Sequence, residues 1–288
     1  MGKQKPRSLK EALKGVLTAK EFEFLRTSYD SVGNIAVIEI MPELEYKEKK
    51  IGEALLLVNP QFETVCKISG AHKGAFRVQP VKVIAGKKNK TALYKESGCV
   101  FKVDLGKVFF SPRLSHERER ISKLIKKGET IGAFFAGVGP FPIVFAKNSP
   151  MKHAVAIELN PPAVKLMDEN IILNKMQGKV EAILADVNKI VPKKYKGKFD
   201  RVVMPLPKGG EDFLAASISS IKPEGGIVHF YQFVPVDDPY TQVLKLVRDV
   251  AAKQGRKVRI VSKKQVRSFS SQTIQVVIDF RVLRGQTL

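Results

Sequence analysis

The sequence predicts an α/β fold in which a mostly parallel, doubly wound sheet follows a smaller α+β domain. Three observations carry that prediction. The stretch Ala133-Phe134-Phe135-Ala136-Gly137-Val138-Gly139-Pro140-Phe141 sets a glycine-rich turn after an apolar run. Glu158 stands 21 residues beyond Gly137, after a second apolar run, His153-Ala154-Val155-Ala156-Ile157. From about Gly106 onward, short strands and helices give way to longer β-α units that close on a hairpin. A β-α-β nucleotide site has this form: the glycines let the backbone approach the ligand, and the carboxylate accepts hydrogen bonds from ribose hydroxyls.

The elements follow in order. Ser8-Leu9-Lys10-Glu11 is a capping-box pattern that opens a short helix. Residues 34–40 read as a strand, and residues 47–58 as a helix with Ile51, Ala54, Leu55 and Val58 on one face. Residues 65–68, 81–84, 91–94 and 100–103 read as short strands between Gly and Lys turns, completing an α+β domain over residues 1–105. Residues 106–288 then alternate. Helix 115–126 precedes strand 130–134, the glycine turn, helix 142–147, strand 154–157 and helix 162–173. Strands 180–184, 201–204 and 226–230, helix 241–253, and strands 258–261 and 273–282 follow. A closing hairpin suits a seven-stranded sheet with an antiparallel last strand, although periodicity alone does not separate this from other doubly wound folds.

Composition narrows the function. Fifty Lys and Arg against 28 Asp and Glu give a net charge of +22, and residues 245–288 alone carry 11 basic and 2 acidic side chains. An excess this large favours a polyanion, most simply nucleic acid. A lysine-rich thermophilic surface is the plainer reading, but such surfaces balance Lys with Glu. Cys66 and Cys99 lack metal-ligand spacing and His72, His116, His153 and His229 are scattered, so neither a disulfide framework nor a metal site is expected. With no apolar run of membrane-spanning length and no secretory or myristoylation pattern at its start, the chain is expected to be cytoplasmic and free of membrane.

The turn itself discriminates between cofactors. A dinucleotide fingerprint needs Gly or Ala three residues after Gly139, and Pro142 stands there. The loop therefore fits S-adenosylmethionine better than NAD; a plain connecting turn is the other reading.

The chain resembles the archaeal and eukaryotic tRNA (guanine-37-N1)-methyltransferases along nearly its whole length. Phe101-Lys102-Val103-Asp104, then Lys107-Val108-Phe109-Phe110-Ser111-Pro112-Arg113-Leu114 and Glu117-Arg118, lead into the glycine loop. Ile157-Glu158-Leu159-Asn160-Pro161, Asn170-Ile171 to Asn174, Asp186, Leu206-Pro207-Lys208, Gly225-Gly226 to His229-Phe230-Tyr231, and Asp279-Phe280 continue the match. The resemblance implies a Rossmann-like class I methyltransferase domain using S-adenosylmethionine, with the tRNA anticodon arm as partner; the chain is expected to be a monomer. The resemblance also implies that the family's small N-terminal outer-corner domain is missing. Sister enzymes that transfer the aminocarboxypropyl group in wybutosine synthesis share the loop but usually lack the arginine after Ser-Pro, so Arg113 favours methyl transfer.

Roles implied by the resemblance follow. Methylating guanine N1 needs a base for the N1 proton and a cation for the density gathering on O6. Glu117 takes the first role, although a Glu in the first turn of a helix also suits the helix dipole. Arg77 takes the second, and Arg113 borders the methionine side or the catalytic face. Glu158 accepts the ribose hydroxyls, Asn160 and Asp186 border the adenosine, Phe109 and Phe135 wall the pocket, and Gly137, Gly139 and Pro207 line it. Arg77, Lys208 and Arg267 join the RNA-binding set. Arg118 contacts an RNA phosphate, or else pairs with Glu158 or a helix neighbour. Two departures stand out: Ala133 where the family usually has Asp, and Pro205 where it usually has Asn, a residue with neither an amide side chain nor a backbone N–H. They keep a third reading open, a catalytically silent tRNA-binding homologue.

Overall fold

The computed structural model describes residues 5–70, 74, 76 and 78–284. The chain divides into two compact units, one running up to Glu96 and including Val100–Arg113, the other comprising Ser97–Cys99 and the chain from Leu114 onward.

The first unit begins with helices α1 (Leu9–Ala12) and α2 (Ala19–Glu23), strands β1 (Tyr29–Val32) and β2 (Ile35–Ile38), and a turn of 3-10 helix at Pro42–Lys47. Helix α3 (Glu48–Val58) and strands β3 (Thr64–Ile68) and β4 (Val81–Gly86) follow, then the pair β5 (Thr91–Glu96) and β6 (Cys99–Asp104). The sheet order is β1-β2-β3-β4, with β2 and β3 parallel, so α3 serves as the crossover that a parallel pair requires. Leu13, Ile38, Ile51, Leu55 and Val65 lie in its core. Gly52 allows α3 to approach the sheet: a Cβ there would stand 2.8 Å from that of Ala85.

The second unit carries α4 (Ser115–Ser122), β7 (Thr130–Phe134), α5 (Pro140–Asn148), β8 (His153–Glu158), α6 (Pro161–Leu173) and β9 (Val180–Leu184). Then come α7 (Val187–Ile190) running into a π-helical turn, β10 (Arg201–Met204), α8 (Leu214–Ser220), β11 (Gly226–Pro235), α9 (Thr241–Lys253), β12 (Val258–Ser268) and β13 (Thr273–Val282). The seven strands run β12-β13-β11-β10-β7-β8-β9. β13 is antiparallel to both of its neighbours, while β11, β10, β7, β8 and β9 are parallel. All four residues of β10 and the last four of β7 are buried, as expected for parallel strands covered on both faces. Phe134, Phe199, Phe230 and Phe280 are fully buried, each worth about 1.5–3 kcal/mol of apolar burial. The strand order reverses between β7 and β10, the switch point outside whose carboxyl ends ligands bind in such sheets.

Local chemistry explains where the structure departs from expectation. α4 stops at Ser122 rather than 126, short of the turn at Gly128, whose φ is +83°. α5 starts at Pro140, earlier than expected, because Gly139 caps it and proline suits the first helical position. At α1 the box is half made: Ser8 accepts from the Glu11 N–H, but the Glu11 carboxylate accepts from Arg7 N–H. The reciprocal box is at α2, between Thr18 and Glu21. Strand β1, helices α2, α7 and α8, and the π turn were not expected.

Candidate functional site

The glycine loop leaves β7 through three left-handed residues in alternation, Phe135 (φ +56°), Gly137 (+57°) and Gly139 (+87°). A Cβ on Gly139 would stand 2.9 Å from Met167 Cγ and 3.0 Å from Ile143 Cδ1, so this position admits only glycine without rearrangement. Phe135 tolerates its conformation because its ring packs edge-on against Phe213, centroids 4.8 Å apart. Asn170, fully buried on α6, donates its side-chain amide to Val138 O at 3.0 Å and pins the loop from below.

Glu158, at the end of β8, closes the turn. Its Oε2 accepts the Gly137 N–H at 2.8 Å, and its Oε1 accepts the Leu159 and Asn160 N–H groups, each at 2.8 Å. The carboxylate thus fixes the loop and its own turn together while retaining about one free lone pair, on Oε2, for a further donor. Leu159, 43% exposed, follows it in sequence, and Leu184, 53% exposed, is its register partner on β9. Two bare apolar side chains beside an acid at the carboxyl ends of parallel strands suit a ligand with one apolar ring and a polyol. Asp186 caps α7 by accepting the Asn188 N–H at 2.9 Å.

A second polar cluster in the same unit surrounds Glu117, which is buried on α4. Arg120 grips both of its oxygens, Nε and Nη2 each at 2.9 Å, and the Tyr231 hydroxyl donates to Oε2 at 2.7 Å. Arg120 reaches on to Asp279 at 2.6 Å. Asp279 meets His229 Nδ1 at 2.6 Å, and His229 Nε2 meets Arg201 at 2.8 Å. Burial pushes Tyr231 well above its usual value, with the Glu117 charge adding to the effect.

With this geometry in view, the comparisons decide the family. Residues 92–261 match the TRM5/TYW2 methyltransferase domain, and residues 9–90 match the TYW2 N-terminal domain. A Pyrococcus abyssi protein named tRNA (guanine(37)-N(1))-methyltransferase Trm5b is 40% identical over 90% of this chain and 76% of its own length. The chain belongs to the TRM5/TYW2 methyltransferase family. Two solved structures are similar throughout. One, described as the complex of aTrm5 and tRNALeu, has a TM-score of 0.85 at 31% identity, covering 97% of this chain and 79% of that one. The other, Methanocaldococcus jannaschii Trm5 in complex with adenosine, has a TM-score of 0.79 at 31% identity, covering 96% and 78%.

The residues expected from the TRM5/TYW2 pattern fall as follows. Phe135, Gly137, Gly139, Glu158, Asn160 and Asp186 meet at or beside the loop and the ends of β8 and β9. Pro207 follows β10, and its carbonyl accepts the Phe233 N–H at 3.0 Å. Phe109 and Arg113 belong to the first unit, where Arg113 pairs with Asp30 at 2.7 Å and Phe109 is 44% exposed. Arg77 lies outside the described residues. Lys208 is exposed, and Arg267 on β12 donates to Gln275 at 2.7 Å. Arg118 is 1% exposed, with its guanidinium 5.5 Å from the Phe141 ring centroid. Ala133 is buried in β7, and Pro205 is half-buried just past β10.

Sequence reasoning gave no role to Arg120, His229, Tyr231, Asp279 or Asn170. The signal was present for two of them: His229 and Asp279 are ionisable residues with apolar neighbours on both sides, Val228 and Phe230, Ile278 and Phe280, where burial demands a partner.

Proposed function

We propose that this protein is an S-adenosylmethionine-dependent tRNA methyltransferase that methylates N1 of the guanine at position 37, 3′ of the anticodon. The observation that carries the reading is the left-handed glycine loop tied to Glu158 by the 2.8 Å hydrogen bond from Gly137 N–H, with the carboxylate itself fixed by the Leu159 and Asn160 N–H groups, in a chain of this family. The residues fit S-adenosylmethionine. Glu158 holds the ribose hydroxyls, Leu159 and Leu184 offer apolar faces to the adenine, and Asn160 and Asp186 border it. When bound, the cofactor supplies a methyl group made electrophilic by its sulfonium.

The chain's own task is to expose the nucleophile. Guanine N1 carries a proton, and its lone pair is free to attack carbon only as that proton leaves. Glu117 accepts it, in a buried setting where a carboxylate acts with little competition from water. The target base leaves its stack to reach the pocket. Phe109, Arg113 and Arg77 keep the roles given by the resemblance. Lys208, Arg267 and the +22 net charge favour the phosphate backbone. We place the reaction in the cytoplasm and the protein as a monomer; among the described residues no helix is long and apolar enough to cross a membrane.

Ala133 and Pro205 favour one other reading, a tRNA-binding homologue that no longer methylates. Single-turnover transfer of labelled methyl to a tRNA transcript separates the two. Methyl incorporation that requires guanine at position 37, slowed about 10²–10⁴-fold by Glu117→Gln, supports the enzyme. A wild-type protein that binds tRNA but incorporates nothing and takes up no cofactor at millimolar concentration supports the silent homologue.

A further inference from the structure

A carboxylate gripped on both oxygens by an arginine is ordinarily a poor base, because the guanidinium stabilises the anion and opposes protonation. Glu117 is held in this way, yet our reading gives it the N1 proton. The rest of the cluster resolves the conflict. Arg120 is not committed to Glu117 alone: Nη1 lies 2.6 Å and Nη2 3.3 Å from the Asp279 carboxylate. One cation is therefore shared between two anions, and the trio carries net negative charge until Glu117 takes a proton.

We propose that Asp279, oriented by His229, is a positioning residue that divides the Arg120 charge and so keeps Glu117 competent as a base. This rests on the reading of Glu117 as the proton acceptor.

The hydrogen bonds determine the state of each member. Arginine only donates, so the Arg201 contact at 2.8 Å requires an unprotonated Nε2 on His229. The ring proton therefore sits on Nδ1 and is donated to Asp279 at 2.6 Å. Arg201 is itself fixed by Glu129 at 2.7 and 3.1 Å and by the Leu124 carbonyl at 2.8 Å. Burial pushes the His229 pKa down, which keeps the ring neutral. Burial pushes the Asp279 carboxyl up, but the His229 and Arg120 hydrogen bonds outweigh it and hold the group at about 2. Asp279 is thus a permanent anion at working pH, and His229 and Asp279 are direct register partners across β11 and β13.

The groups of the cluster that face Glu117 come from three elements. Arg120 comes from its own helix, Tyr231 from β11 and, through the shared guanidinium, Asp279 from β13. Helix α5, packed on α4, adds apolar side chains and the exposed Lys147. Asp279 and Tyr231 act on Glu117 in opposite senses: Asp279 draws the Arg120 charge away from the carboxylate, whereas the Tyr231 hydroxyl adds a donor to its Oε2 at 2.7 Å.

That opposition is the test. Single-turnover methyl transfer to a tRNA with guanine 37 is followed from about pH 5 to about pH 9 for four proteins: wild type, Asp279→Asn, Tyr231→Phe and Glu117→Gln. In Asp279→Asn the midpoint of the rising limb moves to lower pH, with a plateau about tenfold lower, because Arg120 now acts on Glu117 alone. In Tyr231→Phe the midpoint moves to higher pH. Rates that fall equally at all pH values with unmoved midpoints make the cluster a scaffold and overturn the proposal. If Asp279→Asn fails to fold, the near-isosteric Tyr231→Phe decides: an upward shift supports electrostatic tuning of Glu117 by this cluster, and an unmoved midpoint overturns it. Glu117→Gln distinguishes the two ways of failing. A slow Glu117→Gln with unmoved midpoints elsewhere removes the Asp279 proposal and leaves the base in place; a Glu117→Gln at wild-type rate removes the base reading and the proposal with it.

Discussion

Replacing Glu158 tests the cofactor site at its most constrained atom pair. In Glu158→Ala the Gly137, Leu159 and Asn160 N–H groups lose their acceptor, and the cofactor loses the carboxylate that receives its ribose hydroxyls. A hydrogen bond to a charged group contributes about 1.5–3 kcal/mol net. The stranded N–H groups belong to the loop and to the turn after β8, so their loss falls mainly on the order of those segments. At 1.4 kcal/mol per factor of ten, the ribose contribution alone predicts S-adenosylmethionine affinity lower by about 10- to 100-fold. Glu158→Gln, which keeps one acceptor oxygen but sets an amide against an N–H, lands between wild type and Glu158→Ala. Isothermal titration calorimetry reads the affinity, and a thermal melt without ligand shows that the variant is folded. A folded Glu158→Ala that binds within twofold of wild type refutes the ribose assignment and leaves Glu158 as a loop clamp only.

Other outcomes follow from the same geometry. Gly139→Ala forces a left-handed alanine into Met167 and Ile143 and costs about 2–4 kcal/mol, visible as a lower melting temperature and lost cofactor binding; an unchanged melt contradicts the packing described. Asp279 and His229 both have folded pKa values below their ordinary ones, so the folded state binds fewer protons and stability rises with pH. Melting temperature measured against pH therefore falls as pH drops below about 6.5, where the unfolded His229 protonates, and falls further from about 4 towards about 2 as Asp279 is forced to protonate. Asp279→Asn flattens the second phase; an identical profile in that variant contradicts the assignment. Affinity for tRNA falls about tenfold or more between roughly 50 and 200 mM salt, and Lys208→Ala with Arg267→Ala lowers the slope of log affinity against log salt by about two. A salt-independent affinity makes the +22 a surface trait.

The central strands of the second sheet were legible because burial on both faces writes itself as apolar runs: β7 and β10 coincide with those runs to within a residue. The antiparallel closing strand was legible from the hairpin after the last helix. Helix α2 carries a signal of its own in the sequence, since Thr18 and Glu21 have the same spacing as Ser8 and Glu11. Helix α8 and the π turn carry no comparable signal; Ser-rich and Pro-containing segments become helical there through packing against the sheet. In the site, the loop and Glu158 could be read because a short β-α-β unit brings them together from nearby in the chain. The Glu117 cluster could not. Glu117 and Arg120 share a helix face three residues apart, but Tyr231 is 114 residues from Glu117 and Asp279 is 159 from Arg120. Their meeting depends on strand order and on the register that sets His229 opposite Asp279. The burial of Arg118 was not legible for the related reason that sequence shows its charge but not which face of α4 turns inward.

The most direct test of the central claim is nucleoside mass spectrometry of a guanine-37 tRNA transcript after incubation with the wild-type protein and S-adenosylmethionine. The account predicts N1-methylguanosine, confined to position 37. An aminocarboxypropyl adduct, or an unmodified transcript from protein shown to be folded and to bind tRNA, would contradict it.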